Sequence, residues 1–392
     1  MLDRIRTAVI GTGFMGRAHL EALRRVENVD VVEVAATSPD KARAAAAGYN
    51  VLNATGDWRD VITDPSIDAV HITTPNDSHF PIARAAFEAG KHVLCEKPLA
   101  MSVAEAEELV RLQAKKKLRG AVNHNLRCYP MVQQMRSMRE AGAFGEILVV
   151  QGTYSQDWML YETDWNWRVD PAAGGVSRVM ADIGSHFFDM AEHVTGLKVS
   201  AVCTDLQTFW PTRKQPLVDS KGAGGESFSG KLGASGETVD TPVKTEDFGA
   251  TIFRMAENGR ERARGAMTAS QVSAGRKNGL VLEIYGTKGG ASWRQESPNE
   301  LWLGHRNDPN QMLLKDPALL TEKARSFADY PGGHAEGYPD THKQLFRRFY
   351  ASIADATLTP DYPQMADGLR QLKILDAELA SHKAHAWTDV PA

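Results

Sequence analysis

The sequence predicts a two-part α/β and α+β protein: an N-terminal parallel, doubly wound sheet, then a C-terminal domain with a large, mostly antiparallel sheet. Three observations carry this. Short apolar runs alternate with helical patterns over about the first 120 residues, a glycine turn follows the first run, and long strand-like segments dominate from about residue 145. A chain of 392 residues suits two or three domains at ~150 residues each. The division falls between 1–123 and 124–392, with the C-terminal helices as candidates to pack back on the first domain.

The elements follow in order. Arg6–Ile10 reads as a buried strand, and Gly11-x-Gly13-x-x-Gly16 opens a helix to about Arg25. Val31–Ala35 is the next strand, and Pro39 starts a helix through Ala47. Asp68–Ile72 is a strand ending at Thr73-Thr74-Pro75, and Ser78 is placed to cap a helix through Glu88 that Ala89-Gly90 ends. Lys91–Cys95 runs into Glu96-Lys97-Pro98, and Ser102 with Glu105 forms a capping box for a helix to about Lys116. Later strands are expected at Glu146–Ser155, Phe248–Met255, Arg262–Ser270 and Leu280–Tyr285. Asp219–Thr241, rich in Gly, Ser and charge, reads as a mobile loop. Helices are expected at about Thr341–Ala356 and Pro363–His382.

Composition excludes several classes. Hydrophobic residues are 42% and charged residues 24%, an ordinary globular balance, and the net charge of −4 lacks the basic field that nucleic acid would require. Cys95, Cys128 and Cys203 are too scattered for a disulfide framework or thiolate zinc site. The 12 histidines form no HxxxH or HExxH pair, so no metal is expected. With no apolar run near the ~20 residues of a membrane helix and charges where a signal peptide would become apolar, the expected setting is cytoplasmic, with no membrane partner.

Each glycine of the turn has its own task. Gly11 permits a tight turn, Gly13 lets backbone approach a pyrophosphate and Gly16 lets helix pack on strand. The helix N-terminus then offers N–H groups and a positive dipole end to phosphate, with Phe14 and Met15 in the first turn. A bare glycine turn is the alternative, but the flanking strand and helix favour a dinucleotide-binding Rossmann unit. The acidic residue that holds an adenine-ribose 2′-hydroxyl belongs about 20 residues on. That position is Ala36, followed by Thr37, Ser38 and, one helical turn later, Lys41. A neutral pocket with a lysine tolerates a 2′-phosphate, so NAD or NADP is expected with a lean toward NADP acceptance. Otherwise Lys41 is a solvated helix residue.

Glu96-Lys97-Pro98 lies at a strand's carboxyl end, where open α/β sheets bind ligands. Together with the glycine turn and Asp182-x-x-x-His186, it resembles the glucose–fructose oxidoreductase / inositol dehydrogenase / rhizopine catabolism (Gfo/Idh/MocA) family, over essentially the whole chain. The resemblance implies a dehydrogenase in which His186 is the general acid/base, Asp182 holds the sugar and orients the imidazole, and Lys97 stabilises the developing alkoxide. A four-residue spacing puts Asp182 and His186 on one helix face. The resemblance also implies that Thr74, Pro75, Asn76 and His79 line the nicotinamide side of the groove, with Glu96, Lys97 and Asn125 nearby.

Further candidates for substrate are Arg127, Tyr154, Asp157, Trp158, Trp165, Trp167 and Arg168, because aromatic faces beside charged groups suit a sugar ring. Packing of a sheet face or subunit contact is an equal alternative for the tryptophans. His334 and Tyr338, in a glycine-rich loop, are candidates to close over substrate, and a hydrogen-bonded loop is the alternative for 123–127. The expected function is hydride transfer between nicotinamide and a ring secondary alcohol or carbonyl of a sugar, glycoside, anhydro-sugar or inositol. The stretch Asp157-Trp158 and Trp165–Arg168 resembles family members that act on glycosides or anhydro-sugars more than those that act on amino-sugar nucleotides. The alternatives are a cofactor-recycling glycoside hydrolase, which oxidises, eliminates and reduces back, and a non-catalytic dinucleotide-binding regulator. The expected partner is a small carbohydrate, with a homo-dimer or homo-tetramer as the assembly.

Overall fold

The computed structural model describes residues 4–217 and 237–392. The chain divides into two compact units, one running to Asn125 and including Pro339–Leu372, the other from Leu126 to Tyr338 and including Lys373–Ala392.

The first unit alternates β1 (Ile5–Ile10), α1 (Phe14–Leu23), β2 (Val29–Ala35), α2 (Pro39–Gly48), β3 (Asn53–Thr55), α3 (Trp58–Thr63), β4 (Ala69–Ile72), α4 (His79–Glu88), β5 (His92–Cys95), α5 (Val103–Lys116) and β6 (Gly120–Val122). The six strands pair in parallel in the order β3-β2-β1-β4-β5-β6. Chain order reverses between β1 and β4, which opens the crevice where such sheets bind ligands. Ala8, Val9, Ala69, Val70 and Ile72 are completely buried, so the strands read as mostly apolar runs, with Thr7 and His71 as buried polar exceptions.

Three local expectations are corrected. The short β3 and α3 carry too few residues for a periodicity to show. The Ser78 side chain does not cap α4, because a 3₁₀ turn, Asn76–Ser78, precedes the helix. Its hydroxyl instead donates to Thr74 Oγ1 (2.6 Å) and the Pro75 carbonyl (2.7 Å). Ser102 accepts from the Glu105 N–H, but the Glu105 carboxylate reaches back to the Met101 N–H, one residue beyond the reciprocal box.

The second unit contains α6 (Pro130–Glu140), β7 (Ile147–Ser155), α7 (Pro171–Gly174), α8 (Ser185–Thr195), β8 (Lys198–Gln207), β9 (Thr212–Pro216), β10 (Thr238–Pro242), β11 (Phe248–Glu257), β12 (Arg260–Ser270), β13 (Gly279–Gly286), β14 (Gly290–Arg294), β15 (Glu300–Gly304), β16 (Gln311–Leu314) and α9 (Glu322–Arg325). Then come α10 (Tyr338–Ala354), which belongs to the first unit from Pro339 onward, α11 (Met365–Ala384) and β17 (Thr388–Asp389). Nine strands form one sheet in the order β16-β15-β14-β13-β7-β12-β11-β8-β17, antiparallel except for the β7–β12 pair. Its buried face presents Val150, Phe253, Leu282 and Trp293 to a core shared with Met135 of α6 and Phe187, Phe188 and Met190 of α8.

The expected loop Asp219–Thr241 lies outside the described residues up to position 236. Its end is corrected: Thr238–Pro242 pairs antiparallel with Thr212–Pro216. This polar two-stranded ribbon gave no apolar alternation because four of its five β10 residues are exposed.

Glu378 of α11 is buried in the second unit and accepts a hydrogen bond from the Thr251 hydroxyl (2.8 Å). Burial, with a smaller push from Glu246, raises its carboxyl to about 8. Folding therefore holds a proton that the unfolded chain releases, so this stabilisation is full below the ordinary glutamate range and fades as pH rises toward about 8. Glu378→Gln is expected to be more stable than the native chain at about pH 8, by roughly 2–6 °C in Tm, and equal at about pH 5. Parallel melting curves at both pH values would refute the assignment.

Candidate functional site

In the first unit the glycine turn joins β1 to α1 at the point where the sheet order reverses. Gly11 has φ of +106°, and a Cβ there would lie 2.7 Å from the Thr73 carbonyl group. A Cβ at Gly16 would lie 2.2 Å from the Gly11 oxygen, so these two glycines serve the contact of turn, helix and strand. Gly13 differs: a Cβ there would meet no protein atom within 4 Å. It is also the N-cap of α1 and supplies no side-chain acceptor to the helix's first N–H groups. Open space beside the start of a helix, with its positive dipole end, fits a dinucleotide pyrophosphate. The Thr73 hydroxyl holds the turn by donating to the carbonyls of Ile10 and Gly11, both at 3.0 Å. Phe14 is exposed and Met15 half-buried beside it.

At the end of β2, Thr37 and Lys41 are exposed. Ser38 caps α2 by accepting the Lys41 N–H at 3.3 Å, so its hydroxyl is partly committed to the backbone.

At the end of β5 come Glu96, Lys97 and Pro98, with a cis Lys97–Pro98 peptide. Lys97 is half-buried. Thr74, Pro75 and Asn76 follow β4 and enter the 3₁₀ turn. Three expected cofactor contacts are directed to internal partners. The ring nitrogens of His79 lie 2.7 Å from the Pro98 carbonyl and 2.9 Å from the Thr74 carbonyl, so the buried imidazole ties two strand-end loops together. Glu96 turns into the protein, where Oε1 meets His19 Nε2 (3.0 Å) and the Asn123 amide (2.5 Å). Asn125 is also directed inward, its amide donating to Thr341 Oγ1 at 2.7 Å.

In the second unit Asp182 lies in a π-helical turn, Met180–Gly184, that leads into α8. The Ser185 N–H bonds the Met180 carbonyl five residues back, a rare geometry often found at functional sites. Glu246 anchors the start of this turn by accepting from the Ser177 hydroxyl (2.6 Å) and the N–H groups of Arg178 (3.1 Å) and Met180 (3.0 Å). Asp182 accepts from Gln271 Nε2 at 2.9 Å and faces Arg168 Nε at 3.5 Å. Gln271 in turn accepts from Arg178 (3.0 Å), and Arg178 pairs with Asp247, both side chains being wholly buried. A charge-assisted chain thus holds the carboxylate rigidly. His186 is 7% exposed, and its ring lies 6.3 Å from that of Tyr154. The Tyr154 hydroxyl donates to Asn278 (2.7 Å), while burial and then the Asp182 charge push its phenol strongly upward.

The other expected substrate residues separate. Arg168 stacks on Trp167, 4.5 Å from ring centre, so these two stay with Asp182. Trp158 is a packing residue: it donates to Gln156 (2.7 Å) and forms a small apolar cluster with Met159, Val169 and Val243, against which Trp165 packs. Asp157 is tied to Lys277 (2.6 Å) and the Gly275 N–H (3.0 Å). Arg127 is bidentate to buried Asp189. The loop bearing His334 is held by Lys315, which pairs with buried Glu336 (2.8 Å) and donates to the His334 carbonyl (2.8 Å); this anchoring argues against a swinging flap. Sequence reasoning missed Gln271, Glu246, Asp247 and Arg178, because their partners lie 66 to 93 residues away in the chain.

Comparison with known proteins now decides the family. Residues 5–124 match the family profile described as oxidoreductase family, NAD-binding Rossmann fold, and residues 132–292 match the profile of the Gfo/Idh/MocA C-terminal domain. The chain belongs to the Gfo/Idh/MocA oxidoreductase family. Among this family's members, levoglucosan dehydrogenase of Pseudarthrobacter phenanthrenivorans (strain DSM 18606 / JCM 16027 / LMG 23796 / Sphe3) is 33% identical over 402 aligned positions, covering 100% of this chain and 99% of that protein. Inositol 2-dehydrogenase/D-chiro-inositol 3-dehydrogenase of Lactiplantibacillus plantarum is 34% identical over 155 positions, 38% of this chain and 44% of that protein. A solved structure of levoglucosan dehydrogenase in complex with NADH and levoglucosan superimposes with a TM-score of 0.87 at 31% identity, covering 99% of this chain and 100% of that one. This oxidoreductase thus carries the family's NAD-binding Rossmann fold. Among the described residues no helix is long and apolar enough to cross a membrane, and no cluster of three His, Cys, Asp or Glu side chains suits a metal ion.

Proposed function

We propose that this protein is a nicotinamide-dependent dehydrogenase that oxidises a ring secondary alcohol of a cyclic sugar, with an anhydro-sugar of the levoglucosan type as the leading substrate class. The observation that carries the reading is Asp182, a carboxylate held by Arg168 and Gln271 one turn before His186. Full-length similarity to levoglucosan dehydrogenase supports the substrate class. Bound NAD supplies the carbon that accepts hydride. The open turn at Gly13 and the N-terminus of α1 would hold its pyrophosphate, and neutral Ala36 with exposed Lys41 supports acceptance of NADP as well.

His186 takes the proton of the reacting hydroxyl, Asp182, held by Gln271 and Arg168, binds a neighbouring sugar hydroxyl, and Lys97 offers its ammonium to developing negative charge. The Trp167 face stacked on Arg168 suits the apolar C–H side of a ring. The test is absorbance of reduced nicotinamide with NAD or NADP across levoglucosan, inositols, free monosaccharides and glycosides. The expected result is reduction strongest with the anhydro-sugar. No reduction with any pair would overturn the reading, and glycoside cleavage without reduced cofactor would replace it by the cofactor-recycling hydrolase.

A further inference from the structure

Behind the Glu96-Lys97 turn, the first unit contains a continuous line of buried polar side chains that the proposed reaction does not use. His19 Nε2 lies 3.0 Å from Glu96 Oε1, and His19 Nδ1 lies 2.9 Å from His71 Nδ1. His71 Nε2 lies 2.9 Å from the Tyr350 oxygen. The Tyr350 hydroxyl donates to Thr7 Oγ1 at 2.8 Å, and the Thr7 hydroxyl donates to the Ala69 carbonyl at 3.0 Å. All five side chains are buried. The Phe346 ring packs edge-on 4.8 Å from His19 and 4.7 Å from His71.

Each link requires one hydrogen, and the far end sets the direction. A carbonyl can only accept, so Thr7 donates to Ala69 and Tyr350 donates to Thr7. The Tyr350 oxygen therefore accepts from His71, whose Nε2 carries the hydrogen. A neutral imidazole has one N–H, so His71 Nδ1 is an acceptor and His19 Nδ1 must donate to it. His19 Nε2 lies 3.0 Å from the Glu96 carboxylate and 3.2 Å from the Asn123 amide nitrogen; the shorter contact, to a group that can only accept when ionised, makes it a donor too. Five links are made where the neutral forms of His19, His71, Tyr350 and Thr7 bring only four hydrogens.

We propose that this chain stores one additional proton, as a His19 imidazolium held against the Glu96 carboxylate, and that it acts as a positioning network for Lys97. Glu96 accepts from His19, from Asn123 and from the Lys97 N–H (3.2 Å), a set of donors that favours the ionised carboxylate. Burial opposes that charge, but the bonds from His19 and Asn123 outweigh it and bring the carboxyl down to about 2. Burial pushes the Tyr350 phenol upward, so it remains a donor. The other groups facing the chain are His79 on α4, His342 on α10, Cys95 on β5, Asp68 before β4 and Arg25 after α1, which pairs with Asp340. Removing the proton would leave a buried, uncompensated carboxylate directly before Lys97, and the turn would relax. The positioning consequence rests on the role proposed for Lys97, whereas the proton count does not.

Ring nitrogens of the full-length protein, labelled at histidine, report the count directly by NMR. At about pH 8.5, the His19 imidazole, assigned by the loss of its signal in His19→Gln, is expected to carry hydrogen on both nitrogens; His79, whose ring nitrogens both face carbonyl oxygens, is assigned separately with His79→Gln. In Tyr350→Phe, His71 loses its acceptor and can donate to His19 Nδ1 instead, so the same imidazole should no longer carry its second hydrogen at that pH. A wild-type protein whose His19 imidazole is singly protonated at that pH overturns the proposal. Tyr350→Phe and His19→Gln should also lower kcat by about tenfold with little change in KM. In a Lys97→Met background Tyr350→Phe should have no further effect on kcat. An additive loss there refutes the positioning role, and full activity of Lys97→Met alone refutes the catalytic reading while leaving the proton count standing on its spectra.

Discussion

Lys97→Met is expected to lower kcat for sugar oxidation by roughly 10²–10³, the usual cost of removing one donor that stabilises developing negative charge. Methionine keeps the length and apolar stem of lysine but lacks the ammonium. Lys97 is only half-buried at the end of β5, so the substitution leaves the core intact and the melting temperature should hold. Binding of NADH to the variant should also match the native enzyme, because the amides at Gly13 are untouched. Steady-state rates beside NADH titrations separate the two effects. A kcat within threefold of the native value would falsify the role given to Lys97. His186→Asn should cost a comparable ~10²–10⁴ through loss of the proton acceptor, and it tests the other half of the reaction in the same assay.

Gly13→Val should abolish cofactor binding while leaving the fold intact. The backbone at Gly13 is extended, with φ of −70° and ψ of −165°, and a valine adopts it without strain. A Cβ there meets no protein atom within 4 Å, so the cost falls on whatever approaches from outside. The pyrophosphate must come within hydrogen-bonding distance of the α1 amides, and the valine methyl groups occupy that approach. NADH affinity is expected to fall by at least about 100-fold, roughly 3 kcal/mol, with Tm changed by no more than a few degrees. Gly16→Val makes the contrast, since its Cβ would lie 2.2 Å from a backbone oxygen and should unfold the turn. Native-like NADH binding by folded Gly13→Val protein would remove the pyrophosphate site from this turn.

Much of the first unit was legible because local rules and global fold agree there. β1, β4 and β5 are buried on both faces and read as apolar runs, and the glycine spacing reports a turn that tolerates no side chain at Gly11 or Gly16. The pair Asp182 and His186 was read through the family resemblance, its four-residue spacing adding only that both share a helix face, and the π-helical turn beneath it leaves no mark at this level. Charged and aromatic residues were harder. Arg127, Asp157, Trp158 and Glu96 all had the chemistry of ligand contacts, yet each meets an internal partner: Asp189, Lys277, Gln156 and His19.

What the linear sequence specified was periodicity, turn chemistry and the types of reactive side chain, since those depend on neighbours within about four residues. Folding alone assigned the partners. Arg168 and Gln271 meet Asp182 from 14 and 89 positions away, and Tyr350 meets His71 from 279. A buried polar group must be matched wherever the fold brings a partner, because an unmatched one costs about 1–3 kcal/mol. The same imidazole or carboxylate thus becomes a reaction partner, a clamp or a proton store according to contacts that only the folded chain creates.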